Sequence, residues 1–206
     1  MSGASWNRRD FVRAAGLLAA ALGVMPERLL ASLPTSEAPT ARQTALLGEV
    51  SQLVIPRTST AGAGDVGTGA FVALALAHGL KGTRDAVRNA PASWPLRADG
   101  SLRHDQWLEQ ELNRRAGGDF LAQPPARRHA LLAALDAEAF PPGPPPAVPS
   151  PWRALKSLIL LGYYTSEEGG SKELRYEAVP GRWDADIALN KGDRAFSSDW
   201  TAVDFG

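Results

Sequence analysis

The chain of 206 residues contains no cysteine. That absence excludes disulfides, thiolate catalysis, cysteine-ligated iron–sulfur clusters and covalently attached c-type haem. It suits a domain that folds where disulfides rarely persist and that relies on core packing instead. Excess charge of either sign is also missing, with 22 basic side chains against 22 acidic ones. The first 34 residues take Arg8, Arg9, Arg13 and Arg28 with Asp10 and Glu27, so the remainder carries 18 basic and 20 acidic groups and is mildly acidic. Such a balance builds no phosphate-seeking surface, and nucleic acid is excluded as an expected partner. Stretches of strict apolar–polar alternation, the pattern of half-buried strands, are lacking, as is any internal repeat. No apolar run reaches the roughly 20 residues that a bilayer-spanning helix needs.

What is present begins at Asn7-Arg8-Arg9-Asp10-Phe11-Val12-Arg13. Two adjacent arginines, a spacer and Phe11 lead into Ala14–Val24, which is uncharged and apolar on every face. An amphipathic surface helix would keep a polar side for water, and this run keeps none. A basic region ahead of a short apolar one is a targeting signal, and the paired arginines assign it to the export route for folded proteins. Residues 1–38 are therefore expected to be a twin-arginine signal and linker, with Arg8, Arg9 and Phe11 as its recognition residues. Residues 39–206 are expected to be one domain delivered to the periplasm. Ser36-Glu37-Ala38 has the small residues of a cleavage site, although Pro39 obstructs it.

The roughly 170 residues that remain suffice for one core. Ala41–Ile55 places Leu46, Leu47, Val50, Leu53 and Val54 at helical spacing, and Pro56 stops the helix. After a loop over 57–64, Asp65 is expected to cap a second helix carrying Phe71, Val72, Leu74, Leu76 and Leu80, with Gly79 and Gly82 available to end it. Being apolar nearly all round, that helix belongs at the centre of the core. Residues 89–100 read as loop. Ser101 is expected to cap a third helix through Trp107, Leu108, Leu112 and Ala116, closed by Gly117-Gly118. Pro124-Pro125 open a fourth, with Leu131, Leu132, Leu135 and Ala139 on one side. The prolines 141, 142, 144, 145, 146, 149 and 151 make a stiff connector. Trp152–Tyr164 reads as a deeply buried fifth helix. The fold class is all-α: about five helices and a long irregular C-terminal tail, with 152–206 forming the last helix plus that tail.

Chemistry-bearing motifs are sparse. Gly62-Ala63-Gly64-Asp65-Val66-Gly67 matches the dinucleotide glycine fingerprint, and Asp85 lies about twenty residues on, where a ribose-binding acid would sit. The fingerprint needs a buried strand feeding the turn, and here a helix, a proline and a Ser/Thr loop precede it. A structural turn is the better reading. His78, His104 and His129 are spread over three helices without metal-ligand spacing. Glu167-Glu168, followed by Gly169-Gly170, reads as an exposed helix start rather than a catalytic pair. No Gly-x-Ser-x-Gly elbow is present. The sequence thus names no catalytic, cofactor-binding or metal-binding residue. The tail differs in kind: Arg175, Tyr176, Arg182, Trp183, Trp200 and Phe205 sit among turn formers. Trp, Tyr and Arg dominate interface hot spots, so these six are candidate partner contacts, set against the plainer reading that they fold back onto the helices.

Several stretches together resemble the small subunit (subunit 3, or gamma) of flavin dehydrogenases of the gluconate 2-dehydrogenase type. They are the leader, Leu53-Val54-Ile55-Pro56-Arg57-Thr58, Gly62–Gly67, Leu161-Gly162-Tyr163-Tyr164-Thr165-Ser166, and Glu173-Leu174-Arg175-Tyr176 with Val179-Pro180-Gly181. The resemblance implies an accessory, non-catalytic role. A large subunit of the glucose–methanol–choline oxidoreductase type would hold FAD, and a c-type cytochrome subunit with haem c would take the electrons. The small subunit would supply the twin-arginine address for its partner, engage the translocase, and meet the membrane only through the complex, at the outer face of the inner membrane. Two other readings stay open at this point: a self-contained exported oxidoreductase binding a nucleotide on Gly62–Gly67, and a solitary periplasmic helical binding protein. The substrate of the complex, whether gluconate, glucose, a glucoside or another polyol, is not written in this chain.

Overall fold

A computed structural model describes residues 39–143, 148–176, 188 and 190–197. Arg8, Arg9 and Phe11 lie outside them. Five α-helices of ten or more residues run through the described chain: α1 (Ala41–Val54), α2 (Thr68–Ala77), α3 (His104–Ala116), α4 (Pro125–Ala139) and α5 (Trp152–Tyr164). The all-α class is as the sequence implied. Short elements fill the joints: a 3-10 turn at Leu80–Gly82, a π-helical turn at Glu168–Glu173, and a two-residue parallel pairing of β1 (Arg175–Tyr176) with β2 (Phe196–Ser197).

α1 begins on a capping box. The Thr40 side chain accepts from the Gln43 N–H, and the Gln43 side chain accepts in return from the Thr40 N–H, so two orphan donors of the first turn are satisfied. Leu46, Leu47 and Val50 then face inward. α2 crosses α1 so closely that a Cβ on Gly69 would come within 2.5 Å of the Gly48 nitrogen. Only glycine permits that approach. α2 is buried from Thr68 to Leu76 apart from Ala70, as expected of an apolar helix, and packs on α1, α3 and α5. It stops at Ala77, because Gly79 turns left-handed (φ +75°) and places Leu80 in the 3-10 turn.

The remaining core comes from Leu108 and Leu112 of α3, Leu132 and Leu135 of α4, and Trp152, Leu155, Leu158 and Ile159 of α5. Ion pairs stitch the outer seams: Arg42 to Glu109 and Asp119, Arg128 to Glu49, Arg115 to Glu138, and Lys156 to Asp136. Of these, the Arg42–Asp119 pair is exposed on both sides, and a pair of that kind contributes at most about 1 kcal/mol.

Two expected caps are not formed. Ser101 is fully buried; its N–H and hydroxyl both donate to Asp99, and it pairs with Ala86 across an antiparallel bridge. α3 therefore starts later, at His104. α2 likewise starts three residues beyond Asp65, after Gly67 in the left-handed region (φ +77°). Asp65 has other work.

Candidate functional site

That work concerns the loop between α1 and α2. After Ile55 and Pro56 the chain doubles back, and the Ala63 N–H donates to the Ile55 carbonyl at 2.9 Å. Gln52, in the last turn of α1, reaches into the loop. Its Oε1 accepts from the N–H groups of Gly64 (2.9 Å) and Asp65 (3.2 Å). Cβ atoms on Gly62 or Gly64 would strike the Gln52 side chain at 2.6–2.8 Å and also the backbone, at the Arg57 nitrogen (2.7 Å) and the Gly48 carbonyl (2.9 Å) respectively, which accounts for glycine at both positions. Asp65 closes the turn on itself: its carboxylate accepts from the Gly62 N–H at 2.8 Å and pairs with Arg57 at 2.9 Å. The Gly62 N–H, with the Arg57 guanidinium beside it, holds the Asp65 carboxyl below the ordinary carboxylate range.

The other side of the loop is held by residues more than a hundred positions later. Tyr163, buried in α5, donates its hydroxyl to the Ala61 carbonyl at 2.9 Å. The Ala61 N–H donates to Glu168 at 2.9 Å, and the Thr60 hydroxyl donates to Glu173 at 2.5 Å. Glu168 also pairs with Lys172, whose ammonium, ahead of the Ala61 N–H, keeps the carboxyl ionised to lower pH than usual. Both acids belong to the π-helical turn, which is pressed against the end of α5: a Cβ on Gly169 would collide with the Tyr163 carbonyl. Glu168 does open a helical turn, as expected, but its side chain is only 16% exposed and serves as a loop anchor. Glu167 beside it does face solvent.

This geometry speaks against a nucleotide at Gly62–Gly67. A bound pyrophosphate needs free backbone N–H groups. Here those of Ala61, Gly62, Gly64 and Asp65 already donate to protein side chains, and two of the acceptors are carboxylates that would repel a phosphate. The element that runs into the loop is a helix, α1, where the fingerprint needs a strand. Asp85 lies beyond the far end of α2, a helix of ten residues and so about 15 Å long. The loop does not fit a dinucleotide.

The histidines are dispersed. His78 is the exposed C-terminal cap residue of α2, and His129 is exposed on α4. His104 is buried at the start of α3 with Nδ1 3.1 Å from the Leu102 carbonyl, and burial pushes its pKa down to about 4. Among the described residues no group of three or more His, Asp or Glu side chains is placed to hold a metal ion, and no helix is long and apolar enough to cross a membrane.

Of the candidate partner contacts, Arg175 and Tyr176 form β1, where the Arg175 N–H donates to the Ala195 carbonyl at 2.8 Å and the Arg175 side chain is exposed. Arg182, Trp183, Trp200 and Phe205 lie outside the described residues. What sequence reasoning missed is the convergence. Leu53–Thr58, Gly62–Gly67, Leu161–Ser166 and the stretch opening at Glu173 are four separate segments that meet at one loop. The chemistry of the arrangement is structural: a turn fixed from both sides by one amide, one phenol and three carboxylates.

The sequence profile of the family described as gluconate 2-dehydrogenase subunit 3 matches residues 41–181. The chain belongs to this family. The match begins at the first residue of α1 and continues past β1, so it covers all five helices and the whole loop assembly. No curated protein and no solved structure matches the chain. Membership makes the protein a subunit of a dehydrogenase complex and agrees with an accessory role in it.

Proposed function

We propose that this chain is the non-catalytic small subunit of a periplasmic dehydrogenase complex, which escorts and stabilises a large FAD-dependent subunit of the glucose–methanol–choline type. The observation that carries the reading is the family match over the entire helical domain. The Arg8-Arg9 signal, placed ahead of that domain on the same polypeptide, supplies the escort function. The logic is physical: FAD enters its protein in the cytoplasm, so the holoenzyme crosses the membrane folded and needs an address on something bound to it. FAD belongs to the large subunit and haem c to a cytochrome partner. Residues 1–38 are the signal and linker, 39–206 the domain, and the tail residues Arg175, Tyr176, Arg182, Trp183, Trp200 and Phe205 contribute to the contact with the large subunit.

The test is production of the large subunit with and without this chain. Without it, the flavoprotein should stay cytoplasmic or insoluble; full periplasmic activity in its absence would overturn the escort role. Replacing both Arg8 and Arg9 with Lys should strand both subunits inside the cell. Unchanged periplasmic activity of that variant would refute the export assignment.

A further inference from the structure

The last described stretch of the chain returns to the domain beside the residue where the helical turns end. β2 lies parallel to β1, with Arg175 opposite Phe196 and Tyr176 opposite Ser197. So short a pairing does not hold itself together in water, and parallel strands gain less per residue than antiparallel ones. Residues 190–195 are all exposed, so burial of this stretch does not hold it either. Its fixings are polar. Asp193 shapes a turn ahead of β2: its carboxylate accepts from the Asn190 N–H at 2.7 Å and from the Asn190 side-chain amide at 3.1 Å. The Asp193 N–H donates in return to the Asn190 carbonyl at 3.1 Å.

Arg194 follows that turn and reaches across to the π-helical turn. Its Nε donates to the Glu173 carbonyl at 3.2 Å, and one Nη donates to the carbonyls of Leu174 (2.6 Å) and Ser171 (3.4 Å). Carbonyls at the end of a helical turn have no later helical N–H to serve them, and a helix end of that polarity favours a cation. A guanidinium spreads its donors in a rigid fork and serves several such carbonyls together, where an ammonium is a single point of charge. Directly after Arg194, the Ala195 carbonyl accepts the Arg175 N–H at 2.8 Å, so the clamp and the strand pairing adjoin. Glu173 ties them to the rest of the molecule. Its backbone carbonyl holds Arg194 while its carboxylate accepts the Thr60 hydroxyl at 2.5 Å.

We infer that Arg194 is the pin of a clasp: it fastens residues 190–197 to the π-helical turn and, through Glu173, to the α1–α2 loop. The clasp holds Arg175 and Tyr176 in a fixed strand at the edge of the loop assembly, and opening it releases them without unfolding the helices. Local opening of this kind is how a domain keeps one segment switchable while its core stays closed. The family match ends at residue 181, so the pin lies beyond the matched stretch. The inference holds whichever partner the chain has, and it goes beyond the proposed function in stating how two of the candidate contacts are presented.

Hydrogen exchange of the full chain, read amide by amide by NMR, tests the clasp. Arg194→Ala should speed exchange of the Arg175 N–H roughly tenfold or more. The melting temperature should stay unchanged, as should exchange of the Ala63 N–H, which donates to the Ile55 carbonyl on the other side of the loop. Arg194→Lys, which keeps the charge and loses the fork, should fall between the two. Thr60→Val removes the hydroxyl that holds Glu173 and should speed Arg175 exchange several-fold without altering any residue of the tail. Unchanged Arg175 exchange in Arg194→Ala would overturn the inference. Acceleration in that variant that extends equally to Ala63 would make Arg194 a support of the whole domain, and the clasp would be wrong. Unchanged exchange in Thr60→Val would break the link to the α1–α2 loop that the inference asserts.

Discussion

α2 and α5 both contribute heavily to the core, but they differ in pattern: α2 carries no charged residue and is apolar all round, whereas α5 is amphipathic, with Arg153, Lys156 and Ser157 away from its buried side. α2 is enclosed by α1, α3 and α5, so almost its whole surface is spent inside the domain. α5 is enclosed on one side only, and Leu160 and Tyr164 remain outside. An all-round apolar helix is explained by burial alone. The one-sided burial of amphipathic α5 follows from its pattern, and it leaves Leu160 and Tyr164 partly exposed among the described residues.

The sharpest way to break the comparison is to truncate the two faces of α5 separately. Leu158 is fully buried, and Leu158→Ala should cost roughly 2–5 kcal/mol through lost transfer energy and the cavity left behind. Chemical denaturation of the chain measures it; a loss below 1 kcal/mol would mean that α5 is not the core helix described.

His104 probes the enclosed side by another route. Its pKa falls from 6.5 to about 4 on burial, so the folded protein keeps it neutral. Between these values the unfolded chain takes up a proton that the folded chain refuses. Its contribution to stability is therefore complete above pH 6.5, declines as the pH drops, and levels off below about pH 4, with a total near 3 kcal/mol. Denaturation midpoints across that window should show the slope, and His104→Asn should flatten it. An identical slope in the variant would place the titration elsewhere.

Gln52 tests whether the loop assembly stands on its polar anchors. Gln52→Ala removes the acceptor for Gly64 and Asp65 and should cost about 1–3 kcal/mol, with faster hydrogen exchange at those two amides. Unchanged exchange there would show that the Tyr163 and Glu168 contacts suffice. The smallest effect sharpens the comparison most: Leu160→Ala should shift stability by no more than about 0.5 kcal/mol, in contrast to Leu158 two positions away. A loss as large as that of Leu158→Ala would mean that the outer face is covered within the domain.

The helices were legible because their signals are local. Apolar spacing located α1, α3, α4 and α5 to within a few residues at each end; Pro56, Gly117 and Pro125 mark boundaries whatever surrounds them. The caps were less legible, because a carboxylate or hydroxyl offered to a helix end can be claimed by a nearer donor. Asp65 turned back to Gly62 and Arg57, and Ser101 was taken by Asp99. The fingerprint at Gly62–Gly67 was legible as a turn from the absence of a preceding strand. That its glycines make room for Gln52 and for the backbone of Arg57 and Gly48 was not.

What the sequence determined by itself is the helical class, the order of the elements and the family, since these follow from spacing and motif along the chain. Only the tertiary structure decided that four distant motifs close on one loop and how completely each helix is enclosed. Contacts such as Tyr163 to Ala61 and Glu173 to Thr60 span 102 and 113 positions. No periodicity encodes them: they exist because α2 draws α1 and α5 together around a shared core, and which side of α5 stays outside is settled by that packing.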